Sequence, residues 1–410
     1  MTSPLSERTI TIVKATVPAL EAHGLEIVRT MYGRMFEDPE IRALFNPSHH
    51  GETGSQPKAL TDAILAYARN IDNLGALGAA VERIAQKHVG LQIRPEHYPA
   101  VANALLGAIA DVLGDAATDE VLEAWGEAYW FLANILIGRE KIIYGDLAAA
   151  EGGWLGWRDF RIERKIRESD IVTSFLLRPV DAGPVIRHRP GQYLTFQLEQ
   201  AEGAALKRNY SISSAPNGQT YRISVKREPM GDASNWLHDR ADIGTVLKIA
   251  PPSGDFFLKD EAEGPIVLLS GGVGLTPMVS MLEAVALRGT NVSLHYVHGT
   301  QDGGTHAMGD HVRNLVRGRP NLKATTFYMS PRSEDVLGRT HDAEGVVTID
   351  WLRENTPIKQ ADYYLCGPKP FLAAFVRGLR RAGVNDDRVH YEFFGPADEF
   401  SEDPTLPLVA

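Results

Sequence analysis

Apolar residues recur every three or four positions through the first part of the chain: Ile10, Val13, Val17 and Leu20; Ile64, Tyr67, Ala68 and Ile71; Val101, Leu105, Ala108 and Val112. That spacing places each set on one face of an α-helix. Proline or glycine punctuates the pattern at Asp38-Pro39, Asn46-Pro47, Arg94-Pro95 and Gly114, and no alternating segment interrupts it. Residues 1–150 are therefore predicted to form an all-α domain whose core has room for a cofactor. The pattern changes at Glu151-Gly152-Gly153-Trp154. From Arg158 to about Lys259 apolar residues alternate, as in Arg161-Ile162-Glu163-Arg164-Lys165-Ile166 and Tyr221-Arg222-Ile223-Ser224-Val225. Turn residues separate the segments at Asp181-Ala182-Gly183-Pro184, Arg189-Pro190-Gly191 and Pro216-Asn217-Gly218. Some six short strands follow, and with them an antiparallel β-barrel over 154–261.

Beyond Gly264 strands and helices alternate. Ile266 to Leu269 is a continuous apolar run, as in a parallel strand covered on both faces. The next helix has Pro277 near its first turn and Gly289 past its end. Val292 to Val297 gives another strand, and Tyr363-Tyr364-Leu365 leads into a helix ending near Gly383. This predicts a doubly wound α/β domain over 262–397, followed by a mobile tail, 398–410. The fold class read from the pattern is multidomain: all-α, then antiparallel barrel, then α/β.

Composition narrows the function. A chain of 410 residues exceeds one core. Its net charge of −10 argues against nucleic acid or an anionic membrane as the main partner. The single cysteine, Cys366, excludes a disulfide framework, cysteine-ligated iron–sulfur clusters and cysteine-based zinc sites, and fits a reducing cytoplasm. Met1 to Arg8 runs into an amphipathic helix and does not read as a signal peptide. The uncharged stretch Gly264–Leu282 is long enough to span a bilayer, but four glycines and two prolines break it, so it reads as a buried strand–turn–helix. A soluble monomer without stable membrane insertion is expected.

Two motifs carry nucleotide chemistry. In Gly271-Gly272-Val273-Gly274-Leu275-Thr276-Pro277 the glycines close a turn after a buried strand and let backbone approach a pyrophosphate at the start of a helix. By itself such a turn is as often a tight connection. In Arg208-Asn209-Tyr210-Ser211 the guanidinium suits a diphosphate, and Tyr210 offers an aromatic face with Ser211 beside it. An ordinary barrel strand would read the same way. Taken together, with Pro190-Gly191-Gln192-Tyr193 upstream and Cys366-Gly367-Pro368 downstream, the back half resembles the ferredoxin-reductase family. The resemblance implies FAD beside Tyr193 and residues 208–211. It places a pyridine nucleotide on 271–277 and 366–368, and the segment Glu392-Phe393-Phe394-Gly395-Pro396 over the flavin. Val225-Lys226-Arg227 and Ser234-Asn235-Trp236-Leu237 match its next strand and a short helix near the pyrophosphate. Phe393 stands where relatives often carry cysteine. No arginine follows the strand Val292–Val297 in His298-Gly299-Thr300-Gln301-Asp302, so NADH is expected over NADPH.

Of five histidines in the first 150 residues, His88 shares a helical face with Val81, Ile84 and Ala85. A lone inward histidine is more often a satisfied core residue than a ligand. However, Ile84-Ala85-Gln86-Lys87-His88, Phe45-Asn46, Tyr98, Ala124-Trp125-Gly126-Glu127-Ala128-Tyr129 and Gly138-Arg139-Glu140 resemble the globin domain of flavohaemoglobins. With the reductase motifs in the same order, the resemblance covers about residues 1–396. It implies that His88 ligates haem b iron, with Tyr98 and Glu140 on its other nitrogen. It also implies that Tyr32 and Gln56 face the oxygen-binding side, although Pro57 puts Gln56 in a first helical turn. Leu60 would wall the pocket and Phe45 brace the haem edge. Lys87 and Glu392 match residues that tune potentials between haem and flavin. The activity implied is nitric oxide dioxygenase, turning NO and O2 into nitrate with electrons from NAD(P)H. A haem-based O2 or NO sensor with a supporting reductase, and an NADH oxidase or lipid peroxide reductase with lipid in the haem pocket, are the alternatives.

Overall fold

The structure, a computed structural model, describes residues 5–45, 56–73, 75, 78–199, 205–260 and 264–395. Seven α-helices come first: α1 (Glu7–Ala15), α2 (Val17–Met35), α3 (Pro39–Arg42), α4 (Gln56–Arg69), α5 (Gly78–Gly90), α6 (Tyr98–Leu113) and α7 (Asp119–Ala149). Among the described residues the punctuation acts as read; Asn46-Pro47 lies outside them. Asp38 caps α3 with Pro39 in its first turn, and Gly114 ends α6 with φ +53°. Two apolar clusters form. One joins α1, α2, α4, α6 and the first half of α7; the other gathers Ala85 and Val89 of α5 with Tyr98, Ala133, Leu136 and Ile143. Among the described residues one helical stretch, Pro95–Ala116, is long and apolar enough to cross a membrane. In this fold it buries Ala102, Leu105, Ala108 and Ile109 in the helical core.

Six strands follow: β1 (Arg158–Arg167), β2 (Val172–Pro179), β3 (Tyr193–Glu199), β4 (Ala205–Ser211), β5 (Tyr221–Lys226) and β6 (Val246–Ile249), with α8 (Asp232–Asp239) between the last two. They pair antiparallel in the order β4-β3-β6-β1-β2-β5 around Phe160, Phe175, Leu194, Phe196, Tyr221 and Ile223. The last region contains β7 (Ile266–Gly271), α9 (Leu275–Arg288), β8 (Leu294–Thr300), α10 (Gly309–Val316), β9 (Leu322–Tyr328), β10 (Ala343–Glu344), α11 (Ile349–Asn355), β11 (Asp362–Cys366), α12 (Lys369–Arg381) and β12 (Val389–Glu392). Its sheet is parallel, ordered β10-β9-β8-β7-β11-β12. The order reverses beside β7, which puts the switch point between the carboxyl ends of β7 and β11. The stretch read as strand–turn–helix is β7, a tight turn and α9. The strand expected at Val292–Val297 lies two to three residues later.

The sheet regions are tied by a buried carboxylate. Glu283 of α9 accepts the Ala215 N–H at 2.7 Å and pairs with Arg222 of β5 and His311 of α10, both at 2.5 Å. Burial works against its ionisation, but His311, Arg222 and the Ala215 amide outweigh it and hold the carboxyl below its ordinary 4.5. A depressed carboxyl stabilises the fold above its unfolded value, and that contribution disappears as pH falls through the folded one. Glu283→Ala strands Arg222 and the Ala215 amide, and is expected to cost about 3 kcal/mol, read as a lower Tm near neutrality. The deficit should shrink below pH ~4.

Candidate functional site

The helical region builds its site from α5 and α7. His88 is half-buried near the end of α5, and its Nδ1 lies 2.7 Å from Glu140 Oε1 and 3.1 Å from the Tyr98 hydroxyl. Tyr98 also donates to Glu140 Oε1 at 2.6 Å. Burial, then Glu140, pushes the Tyr98 phenol far above its usual value, so it remains a donor. Glu140 is only 2% exposed, so His88 is held as the Nδ1–H tautomer with the Nε2 lone pair turned away from the carboxylate. Arg139, the next residue, binds Glu82 of α5 at 2.6 and 2.9 Å, and Tyr129 clasps the Tyr98 carbonyl at 2.8 Å. Each member of the Gly138-Arg139-Glu140 motif beyond its glycine thus ties α7 to α5.

The residues expected on the oxygen-binding side come from α2, α4 and the segment after α3. Tyr32 is 7% exposed and packs in an aromatic cluster, 5.6 Å from Phe36 and edge-on to Phe45 at 5.8 Å. Leu60 is half-buried on α4. Gln56 opens α4, but its side chain, like Asn46, lies outside the described residues. A half-buried histidine whose Nδ1 is engaged and whose Nε2 is left for a ligand, in a region rich in apolar and aromatic side chains, fits the residues that would hold a haem.

In the barrel, Tyr193 pairs with Ser211, and Leu194 with Tyr210, across β3 and β4. Strand alternation puts Arg208 and Tyr210 on one face and Asn209 and Ser211 on the other. Asn209 is exposed, Ser211 is buried, and Tyr210 meets Phe196 edge-on at 5.5 Å. Burial pushes Lys207 down to about 8 and lowers Arg208, against a weaker pull from Tyr210 and Asp232. The two cations lie on opposite faces of β4; Arg208, on the face of Tyr210, fits a diphosphate, whose charge would reverse its shift. Lys207 escaped the sequence reading, since a lysine in a strand carries no signal of burial. Val225 and Lys226 end β5, and residues 234–237 lie in α8.

At the switch point, Gly272–Gly274 form a tight 3-10 turn running straight into α9. A Cβ on Gly274 would stand 2.1 Å from the Cys366 carbonyl oxygen, so only glycine lets the two loops meet. Val273 is half-buried; Leu275, Thr276 and Pro277 are buried, and Thr276 bonds the Val273 carbonyl at 3.1 Å. The Cys366 side chain is wholly buried, and burial drives its thiol up, so this position offers backbone rather than sulfur. Gly367 and Pro368 pack against Gly271 and Phe371. After β12, Phe393 packs into the α/β core while Phe394 is 47% exposed. Pro396 lies outside the described residues.

Residues that the sequence did not single out join the halves. Gln86 Oε1 accepts the Gly254 N–H at 3.2 Å, Arg83 faces Asp255 at 3.7 Å, and a Cβ on Gly90 would sit 2.8 Å from Thr195 Oγ1. The helix that carries His88 is thereby seated on the barrel edge that carries Tyr193. Glu392 sits at this seam, pushed up to about 7 by burial and Asp255 against the pull of Lys87 and Arg83. A raised carboxyl favours the fold while protonated, and that contribution is lost as pH climbs from 4.5 through about 7. Glu392→Gln should therefore match the parent Tm near pH 4 and exceed it above pH 7, with the gap opening between.

A globin site wired to a flavin- and nicotinamide-handling module defines the class: a haem–flavin oxidoreductase. Family models match in that order: Globin over residues 29–136, Oxidoreductase FAD-binding domain over 159–258 and Oxidoreductase NAD-binding domain over 268–377. A flavohemoprotein of Xylella fastidiosa is 58% identical over 400 residues, covering 97% of this chain and 99% of the relative. The chain belongs to the flavohaemoglobin family, and its cofactors are haem, FAD and a nicotinamide dinucleotide. A flavohemoglobin from Malassezia yamatoensis, solved with FAD and heme, superposes with TM-score 0.86 at 24% identity, covering 96% of this chain and all of that one. The FAD/NAD-binding domain of nitric oxide dioxygenase from Vibrio cholerae matches 59% of this chain and all of its own, at 36% identity and TM-score 0.53.

Proposed function

We propose that this chain is a nitric oxide dioxygenase that draws electrons from NADH. The observation that carries the reading is the seating of α5: the helix that holds His88 is the one bound to the barrel through Gln86, Arg83 and Gly90. When bound, FAD accepts a two-electron hydride and releases single electrons, and haem supplies the iron at which dioxygen and nitric oxide combine.

The chain's residues do the rest. Glu140 and Tyr98 hold the proton on His88 Nδ1 and raise the basicity of Nε2, favouring oxygen activation over storage. The Tyr32 hydroxyl serves as donor to the oxygen side, where a hydrogen bond to a charged acceptor is worth about 1.5–3 kcal/mol. Arg208 holds the flavin diphosphate, Tyr210 its ring, and Ser211, Asn209 and Tyr193 the adjoining edges. The exposed ring of Phe394 covers the flavin. The loops 271–277 and 366–368 hold the coenzyme pyrophosphate.

One nitric oxide, one dioxygen and one electron balance to one nitrate, so each NADH yields two. Purified protein should form nitrate and consume NADH in that ratio, with a lower KM for NADH than for NADPH. A stoichiometric burst without turnover would point instead to a gas-binding sensor.

A further inference from the structure

The carboxyl ends of β7, β8 and β9 lie side by side, so the coenzyme that starts at Gly271–Gly274 runs its adenosine end over the loops after β8 and β9. Asp302 follows β8 and Arg332 follows β9. Arg332 Nε binds Asp302 Oδ2 at 3.0 Å, while its Nη1 binds Asp170 Oδ2 at 3.0 Å, in the turn between β1 and β2. No local pattern marks an arginine for this place, because thirty positions separate the two loops.

The arrangement is built rather than incidental. A Cβ on Gly304 would lie 2.0 Å from the guanidinium carbon, so the glycine lets that group lie flat on the loop. The Asp170 N–H donates to the Gly304 carbonyl at 2.8 Å. Asp335 accepts the N–H groups of Gly303 at 3.0 Å and Arg332 at 2.7 Å. Asp302 accepts the Thr305 N–H at 2.9 Å. Burial opposes its ionisation, but Arg332 and Thr305 prevail and hold it below its ordinary value. Arg167 completes the cluster from outside, 2.9 Å from Asp170. Two carboxylates thus hold the Arg332 guanidinium and a third, Asp335, its main-chain N–H, while the arginine side chain remains 38% exposed.

We propose that Arg332, clamped between Asp302 and Asp170, sets coenzyme choice: the clamp turns a guanidinium suited to a 2′-phosphate onto two carboxylates and presents Asp302 to a ribose 2′-hydroxyl. A 2′-phosphate carries close to two negative charges at neutral pH and meets a cluster that is already net negative. Asp170 is contributed by the flavin barrel, so specificity is set across the domain seam. The inference rests on the reading above, that NADH is the preferred coenzyme.

The test uses full-length protein loaded with haem and FAD, with kcat/KM for both coenzymes and inhibition by 2′,5′-ADP and 5′-ADP. Asp170→Asn frees the guanidinium. The NADPH:NADH ratio of kcat/KM should then rise about tenfold, mainly through the KM for NADPH. Inhibition by 2′,5′-ADP should strengthen by a similar factor while 5′-ADP changes little. A second change, Arg332→Gln, should cancel both gains, which mere loosening of the loop would not explain. A ratio unmoved by Asp170→Asn, or a gain that survives Arg332→Gln, overturns the clamp while leaving NADH preference standing. Preference for NADPH in the unaltered chain overturns both.

Discussion

His88→Ala is expected to yield a protein that binds FAD and oxidises NADH with artificial acceptors, yet retains no haem. Its nitric-oxide-dependent NADH consumption should fall at least about 1000-fold, since the haem iron loses the ligand assigned to it. The Nδ1 of His88 is committed to Glu140 and Tyr98, which leaves Nε2 for the iron. The substitution also leaves the buried Glu140 without its imidazole, with the Tyr98 hydroxyl still donating to it, so the helical region should lose stability by about 3 kcal/mol. A companion variant separates ligation from tuning. Glu140→Gln should retain haem but raise the haem reduction potential and slow oxygen activation, because a neutral amide no longer supports the imidazole. Absorption spectra and a redox titration read both effects. Haem retained at full occupancy in His88→Ala would remove the ligand assignment.

Gly274→Ala is expected to strike the other end of the electron path. The alanine Cβ would stand 2.1 Å from the Cys366 carbonyl oxygen and 2.4 Å from its carbon, both rigid backbone atoms at the end of β11. The residue has φ −59°, so the penalty is collision rather than backbone strain. The loops after β7 and β11 must part, and displacement of about 1 Å at a positioning loop costs on the order of a hundredfold. Flavin reduction by NADH should slow at least that much, while dithionite still reduces the haem and the spectrum stays that of the parent. Parent-like hydride transfer in Gly274→Ala would show that this turn does not position the coenzyme.

The fold was readable where periodicity is strong. Three-four spacing located α4, α5 and α6, whereas the run Ile10–Leu20 came out as two helices, α1 and α2, parted at Thr16; alternation located β1 and β5. The apolar run at Ile266–Leu269 located β7, whose residues are buried on both faces. The strand expected at Val292–Val297 came out as Leu294–Thr300, because polar His298 and Thr300 continue the parallel ladder with β9. Periodicity placed His88 facing inward but could not distinguish a ligand from a core imidazole; that needed a buried glutamate and tyrosine from α7 and α6, 52 and 10 positions away. Long-range pairings were illegible for the same reason. Nothing local marks Gln86 for Gly254, Arg222 for Glu283, or Arg332 for Asp302, since each pair becomes neighbours only when separate elements dock. Arg208 and Tyr210 were legible as a motif, whereas the burial that lowers the pKa of Lys207 beside them was not.

Electrons are expected to pass from coenzyme through flavin to the His88 haem within one polypeptide. Anaerobic stopped-flow with NADH tests it most directly, following flavin and haem absorbance in the same trace. Flavin bleaching should be followed by haem reduction in a first-order phase whose rate does not change when the protein is diluted. Haem reduction that slows in proportion to protein concentration, or that never follows flavin reduction, would contradict it.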